Sequence, residues 1–319
     1  MSEFHIQVTK LGKIADHPNA DTLSITSIMG YPVIFKKGLH KENDLIVYIP
    51  IDSVVPLTDT RFSWLEKPRI RAVRLRGIFS MGIIVNADPS WTVGQNVQNE
   101  LGITKYDPPE PIDLSGDNER DLSGMPKYTD IEGFRKFSNI IKEGEEVVLT
   151  EKIHGTNFRT TYNDGRLWVG SHNCIKKLDG NTAYAKIITP YKLDEVLKEN
   201  PKYTLFGEIY GWIQNLRYNM KQGEYKLALF DVFDKSTMKY LDYENFTQFV
   251  DKYALPRVPV LYKGPWKDEL KELSNGKSTI ADHIKEGFVV KPVVERFDME
   301  IGRVILKFIG EEYMLKNDH

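Results

Sequence analysis

The stretch Val147-Val-Leu-Thr-Glu-Lys-Ile-His-Gly-Thr-Asn157 carries an apolar run that delivers a single lysine, Lys152, into a His-Gly turn. Such a run reads as a strand, and a strand ending in this turn would hold the ammonium rigidly at the lip of a pocket. Gly155 would let a ligand approach the backbone closely. The same lysine is equally compatible with a solvated residue at a sheet edge, where lysines discourage edge-to-edge pairing. The residues elsewhere in the chain decide between the two.

At 319 residues the chain is long enough for two domains, each with its own core. Its 41% hydrophobic and 28% charged residues are those of a soluble globular protein. The formal net charge is −2, so any surface for nucleic acid must be local rather than global. One cysteine, Cys174, excludes an internal disulfide framework and a cysteine-rich zinc site, and fits a reducing compartment. The start, Met1-Ser-Glu-Phe-His-Ile6, has no basic region followed by an apolar stretch, and no run approaches a membrane span. The expectation is a cytoplasmic protein, monomeric and without membrane partners.

Up to about Ile103 the chain reads as short strands around Ile6–Ile14, Thr22–Ile28, Tyr31–Phe35, Leu45–Ile49, Ile70–Leu75 and Met81–Val85, separated by turn residues. That spacing predicts a small barrel. Two of its segments, Ile14 to Leu23 and Asp44 to Asp52, resemble OB-fold modules that bind tRNA or other oligonucleotides. The strongest basic cluster, Arg61, Lys67, Arg69, Arg71, Arg74 and Arg76, is interleaved with Phe62, Trp64 and Phe79. On one strand, Arg69 and Arg71 would share a face and Arg74 and Arg76 the opposite one. An outward pair beside an aromatic ring is suited to holding a nucleic-acid backbone, and equally reads as a solvated face.

Residues 106–124, rich in proline, acid and small residues, are expected to link an OB-like domain over 1–105 to a second domain over 125–319. Beyond the linker, Pro126 to Phe137 reads as a short helix capped by Thr129 or Asp130. Further helices are expected at Thr189–Glu199, Tyr243–Tyr253 and Lys267–Asn275 among strands, giving an α+β fold. Neither a Gly-x-Gly-x-x-Gly nor a Walker-type loop follows any strand, which excludes the usual dinucleotide and P-loop chemistries.

Four segments stand at defined distances after Lys152. They are Leu205-Phe-Gly-Glu-Ile-Tyr-Gly211, Ala228-Leu-Phe-Asp-Val-Phe233, Lys285-Glu-Gly-Phe-Val-Val-Lys291 and Val304-Ile-Leu-Lys-Phe308. With Glu151-Lys-Ile-His-Gly-Thr-Asn-Phe158, their order and separations resemble the covalent nucleotidyltransferases, and among them the ATP-dependent RNA ligases that seal nicks in duplexes. The resemblance covers about residues 126–310, and the preceding module resembles the branch whose extra OB-like domain comes first. It implies antiparallel sheets with flanking helices, a lysyl-AMP intermediate on Lys152, and nicked duplex RNA or an RNA/DNA hybrid as partner. Related DNA ligases and capping enzymes carry an OB domain after the catalytic core, whereas few residues follow Lys307 here. A relative that has lost activity and only binds RNA is opposed by the complete set of motifs.

Physical reasoning gives the same residues tasks. A lysine that attacks the α-phosphate of ATP must lose a proton, although its ordinary pKa is near 10.4. A carboxylate alone would hold that proton more tightly, so Glu208 and Glu286 are better read as Mg²⁺ or Mn²⁺ ligands than as direct ion-pair partners of Lys152. Asn157 would position metal-bound water or the departing pyrophosphate, and Lys291 and Lys307 would neutralise phosphate charge. Phe230 would stack on adenine, or else be core. The resemblance implies that Glu151 reads the adenine edge, by backbone or side chain.

Two positions depart from the family pattern. His172, in Gly170-Ser-His-Asn173, stands where an arginine is expected to hold the 5′-phosphate strand, with Arg159 or Arg166 as substitutes. Lys307 has Ile305 and Ile309 where a second lysine is usual, leaving that contact to Lys291 or Arg303.

Overall fold

A computed structural model describes residues 4–106, 118–178 and 182–316. The chain forms two compact units, Met1–Pro108 with Met314–His319, and Pro109–Tyr313. No helix among the described residues is long and apolar enough to cross a membrane.

The first unit is built from short antiparallel strands. One three-stranded sheet has the order Gln7–Lys10, Leu45–Ile49, Ile83–Asn86, and another the order Ile14–Asp16, Leu23–Ile28, Tyr31–Lys36. Strand Leu45–Ile49 is apolar on both faces, and its alternation feeds two cores. Val47 and Ile49 join Phe62 and Ile70, while Ile46 and Tyr48 join Leu11 and Val33. The arginines do not share one strand as expected. Arg74 lies in the hairpin of Ala72–Leu75 with Ile78–Met81, and Arg76 occupies its turn with φ +46° beside Gly77. Arg69, before the hairpin, pairs with Asp52 at 2.7 Å and stacks on Tyr106, 3.7 Å from the ring centre.

Two large sheets make the second unit. Strand Glu146–Glu151 lies inside a five-stranded sheet, between Gly287–Pro292 and Val260–Pro265. Strand Thr156–Asn163 lies inside a seven-stranded sheet, between Arg166–Gly170 and Tyr203–Gly211. Residues 152–155 therefore carry the chain from one sheet to the other. Alternation then sorts the side chains. Val147, Leu149, Phe288, Val290, Leu306 and Phe308 form a core on one face of the smaller sheet. Thr150, Lys152, Val289 and Lys291 line a pocket on its other face.

The helix expected between Pro126 and Phe137 does not form. Glu132–Gly133 instead pairs in parallel with Leu306–Lys307, and Phe134 and Phe137 bury themselves against Trp266 and Phe308. Sheet pairing and aromatic burial outweigh the weak local preference for helix. The other expected helices appear as Leu193–Glu199, Tyr243–Lys252 and a 3₁₀ turn at Asp268–Ser274. Of the expected linker, residues 107–117 lie outside the described residues, and Asn118–Glu119 pair with Ile175–Lys176 as an edge of the larger sheet.

Beneath the pocket lies a buried ionic network. Arg303 donates to Asp231 at 3.0 Å and to Glu295 at 2.5 and 2.7 Å, and stacks 3.6 Å from the Tyr240 ring centre. Asp231 also accepts from the Tyr128 hydroxyl and from Lys291. Burial pushes the Asp231 carboxyl up, but Arg303 and Lys291 hold it below the ordinary range. Removing one partner of such a network strands a buried charge. Arg303→Leu is therefore expected to lower the unfolding free energy by about 3–5 kcal/mol, read from the urea midpoint.

Candidate active site

Lys152 sits at the first residue of the crossing between the sheets, and each backbone group recorded there has a defined partner. Its N–H donates to the Gly287 carbonyl at 3.0 Å. The His154 N–H donates to the Tyr218 hydroxyl at 2.7 Å, and the Gly155 N–H to Glu208 Oε1 at 3.0 Å. Gln214 Nε2 donates to the Gly155 carbonyl. A Cβ at position 155 would lie 2.1 Å from the Ile209 carbonyl oxygen. The glycine thus serves close packing of the turn on the neighbouring strand. Gly287 is constrained in the same way, since a Cβ there would lie 2.0 Å from the Phe308 carbonyl oxygen.

The side chains converge from both sheets. Glu208 stands opposite Asn157 in the register of the larger sheet. In the adjacent pair, Phe206 faces Asp231 and Gly207 faces Leu229, so Phe230 is the extra residue of a β-bulge. Bulges re-aim side chains, and both Phe230 and Asp231 reach the pocket wall. Glu151, Lys152, Asn157, Glu208, Phe230 and Lys291 all line this one pocket. Lys307 is in register with Val289, which in turn faces Thr150, placing Lys307 in the same cross-strand row on the pocket side.

The electrostatics differ from expectation in one respect. Lys152 is in a direct ion pair, its Nζ 2.7 Å from Glu286 Oε1. An ammonium in a low-dielectric recess needs an anion at contact distance, and Glu286 supplies it. Burial pulls the Lys152 ammonium down, but Glu286 and Glu208 more than offset this and raise it. Burial likewise pushes Glu286 up, yet Lys152 and His154 hold its carboxyl down at about 2. Glu208 is pushed up to about 8, because burial and the Glu286 charge outweigh the attraction of Lys152. His154 Nδ1 lies 3.1 Å from the Tyr313 hydroxyl and 3.4 Å from Glu286 Oε2.

Three expectations about binding residues change. The Glu151 carboxylate projects from the opposite face of its strand to Lys152, where Ser278 and Thr279 donate to it at 2.5 to 2.8 Å. With its own N–H donating to the Pro259 carbonyl, Glu151 anchors a neighbouring loop, and its carboxylate oxygens are already engaged there. Lys291 is nearly fully buried and engaged by Asp231 and Glu295, so phosphate contact would compete with that network. His172 lies in the turn after strand Arg166–Gly170 and is not among the described residues lining the pocket; burial lowers its pKa. Both suggested substitutes are engaged elsewhere. Arg159 is buried and donates to the carbonyls of Ser171, Met125 and Pro126, and Arg166 is held by Glu119 and the Trp168 ring.

Sequence reading missed Tyr218, Gln214 and the Arg303 network. Tyr218 and Gln214 lie in Trp212 to Lys221, a stretch without periodicity, and no local pattern marks them. From sequence Arg303 reads only as a stand-in for a missing lysine, because three of its neighbours in space, Tyr128, Asp231 and Glu295, are spread over much of the second unit.

Residues 145–309 match the RNA ligase family, and residues 5–87 match an OB-fold domain. No curated protein matches the sequence. The structure is similar to that of an alanine-for-lysine mutant of Naegleria gruberi RNA ligase with ATP and Mn, at 24% identity, 98% coverage of each chain and a TM-score of 0.84. It is also similar to the Naegleria gruberi RNA ligase with PPi, and to a methionine-for-lysine mutant with AMP and Mn. Each of these is 25% identical over 97% of both chains, with a TM-score of 0.83. The chain belongs to the RNA ligase family.

Proposed function

We propose that the protein is an ATP-dependent RNA ligase that adenylylates itself on Lys152, passes AMP to a 5′-phosphate, and seals 3′-OH/5′-phosphate nicks in duplex nucleic acid. The observation that carries this reading is one lysine amine held at a sheet crossing, in contact with Glu286 and in the field of Glu208, at the edge of a pocket walled by Phe230. The relatives with ATP, AMP and PPi support the same course. Deprotonated Lys152 Nζ attacks the α-phosphorus, forming a P–N bond as the bond to the β-phosphate oxygen breaks and pyrophosphate leaves. A 5′-phosphate oxygen then displaces the lysine to give an adenylylated end. Attack by the 3′-OH on that 5′-phosphorus forms the phosphodiester and releases AMP.

The donor set fits a divalent cation shared with phosphate. Asn157 Oδ1 is a buried oxygen without a hydrogen-bond partner among the described residues, and Glu286 Oε2 has only the long 3.4 Å contact to His154 Nδ1. Among the described residues no group of three or more His, Cys, Asp or Glu side chains forms a metal cage. That suits Mg²⁺ or Mn²⁺, which is commonly held by one or two carboxylates, waters and substrate phosphates. Glu208, Glu286 and, through water, Asn157 would hold the ion, which would polarise the α-phosphate and favour the neutral amine. Phe230 offers a face to the adenine, and Lys307 a charge to the phosphates.

Labelled ATP with Mg²⁺ should give a covalent AMP adduct that survives denaturation and alkali, is released by acid as expected of a P–N bond, and disappears in Lys152→Met; absence of an adduct on the native chain would sink the proposal. The raised Glu208 pKa sets a second expectation. At Glu208 the folded state holds a proton that the unfolded chain gives up between about 4.5 and about 8, so without metal this group's contribution to stability falls as pH rises through that window. In Glu208→Gln the fall should flatten in thermal unfolding, and the proton release on Mn²⁺ addition at pH 7 should shrink. For the substrate, exposed Arg74 and Arg76 are assigned to phosphates of the duplex, with Arg69 and Arg71 beside them. Alanine at both exposed positions should weaken nick binding alike for all sequences and reduce the slope of log affinity against log salt by roughly one per arginine.

A further inference from the structure

Tyr218 is nearly fully buried, and its backbone is left-handed, with φ +50° followed by +58° at Asn219. Two consecutive residues with side chains in that region are sterically costly and persist only where their surroundings enforce them. Here Asn219 Nδ2 donates to Asp282 Oδ2 at 3.1 Å, which pins the strained pair. The ring packs in the cluster of Ile153 and Phe230, and meets His283 edge-on at 4.5 Å and Tyr210 at 4.9 Å. Any aromatic ring would satisfy those contacts. The hydroxyl does something more specific, accepting the His154 N–H at 2.7 Å, two residues beyond Lys152.

We infer that Tyr218 is a positioning residue for the nucleophile: its hydroxyl, placed by the left-handed Tyr218–Asn219 pair, fixes the backbone of the lysine turn. The four crossing residues have no ladder of their own. Lys152 is held on one side by the Gly287 carbonyl, and on the other its place depends on where His154 is tied. Releasing the His154 N–H would let the turn shift and carry Nζ away from Glu286 Oε1, now 2.7 Å away. The effect belongs to the step in which lysine attacks. Sealing of an already adenylylated nick makes no new bond to Lys152 and does not need that alignment. The inference rests on the covalent lysyl-AMP reading above.

The test uses the full-length protein and Tyr218→Phe, which keeps the ring and removes the acceptor. Three quantities are compared with the native chain: single-turnover AMP-adduct formation, the ATP concentration for half-maximal adduct, and sealing of a pre-adenylylated nicked duplex. A stranded buried N–H predicts about tenfold slower adduct formation, with the other two readouts within about twofold of native. Asn219→Ala, which cuts the tie to Asp282, should show the same split more weakly and settles the matter if the phenylalanine variant is unstable. An unchanged adduct rate, or equal losses in adduct formation and pre-adenylylated sealing, would overturn the positioning role. Failure of the native chain to form any adduct would instead remove the covalent chemistry beneath it.

Discussion

A chain that leaves one sheet and enters another must cross the gap without a ladder, and its backbone polar groups must still be satisfied. Between Glu151 and Thr156 this is achieved piecemeal, by the Gly287 carbonyl, the Tyr218 hydroxyl, the Glu208 carboxylate and the Gln214 amide. The partners come from two strands and the segment Trp212 to Lys221, so the crossing ties those parts together around Lys152. The same constraint explains Gly155 and Gly287, whose missing side chains let carbonyls of neighbouring strands approach. Lys152 is placed by the requirement to join two sheets.

Charge within the crossing follows from burial. One ammonium and two carboxylates share a recess that water reaches poorly, and two ionised carboxylates there would leave a net negative charge. The protein resolves this unevenly. Glu286 takes the contact with Lys152 and stays ionised, whereas Glu208 is pushed up to about 8 and takes a proton at neutral pH. A divalent cation shared with phosphates would reverse that bias, because it supplies the positive charge that both carboxylates lack. It would also relieve Lys152 of the ion pair that now raises its pKa. The proposed metal chemistry and the observed ion pair are two answers to the same electrostatic demand.

The pocket wall contains one residue saturated with partners and one that keeps a free face. A bulge turns Phe230 and Asp231 toward the same wall, but their roles diverge. Asp231 is saturated by Tyr128, Lys291 and Arg303 and acts as the anchor of a structural network. Phe230 keeps a half-buried face at the pocket, packed behind by Tyr128 at 4.8 Å between ring centres. The network also explains why Lys291, read from sequence as a phosphate ligand, is buried in ion pairs.

The linear sequence by itself determined the family, and it singled out Lys152, Glu208 and Glu286, which the fold brings together. Those depend on residue types at fixed separations along strands, and local alternation carries that information. It also determined that the first hundred residues are short strands, since turn residues punctuate them. It could not determine pairing. The stretch Pro126 to Phe137 looks helical in isolation, and becomes sheet edge and aromatic core only because Leu306–Lys307 and Trp266 are there to receive it. Only the tertiary structure showed that the Glu151 carboxylate is taken up by Ser278 and Thr279, that Lys152 pairs with Glu286, and that Tyr218 reaches the lysine turn from sixty-four residues further along the chain. In each case the deciding fact is which face or bulge a side chain occupies against a partner distant in sequence, and no local pattern encodes that.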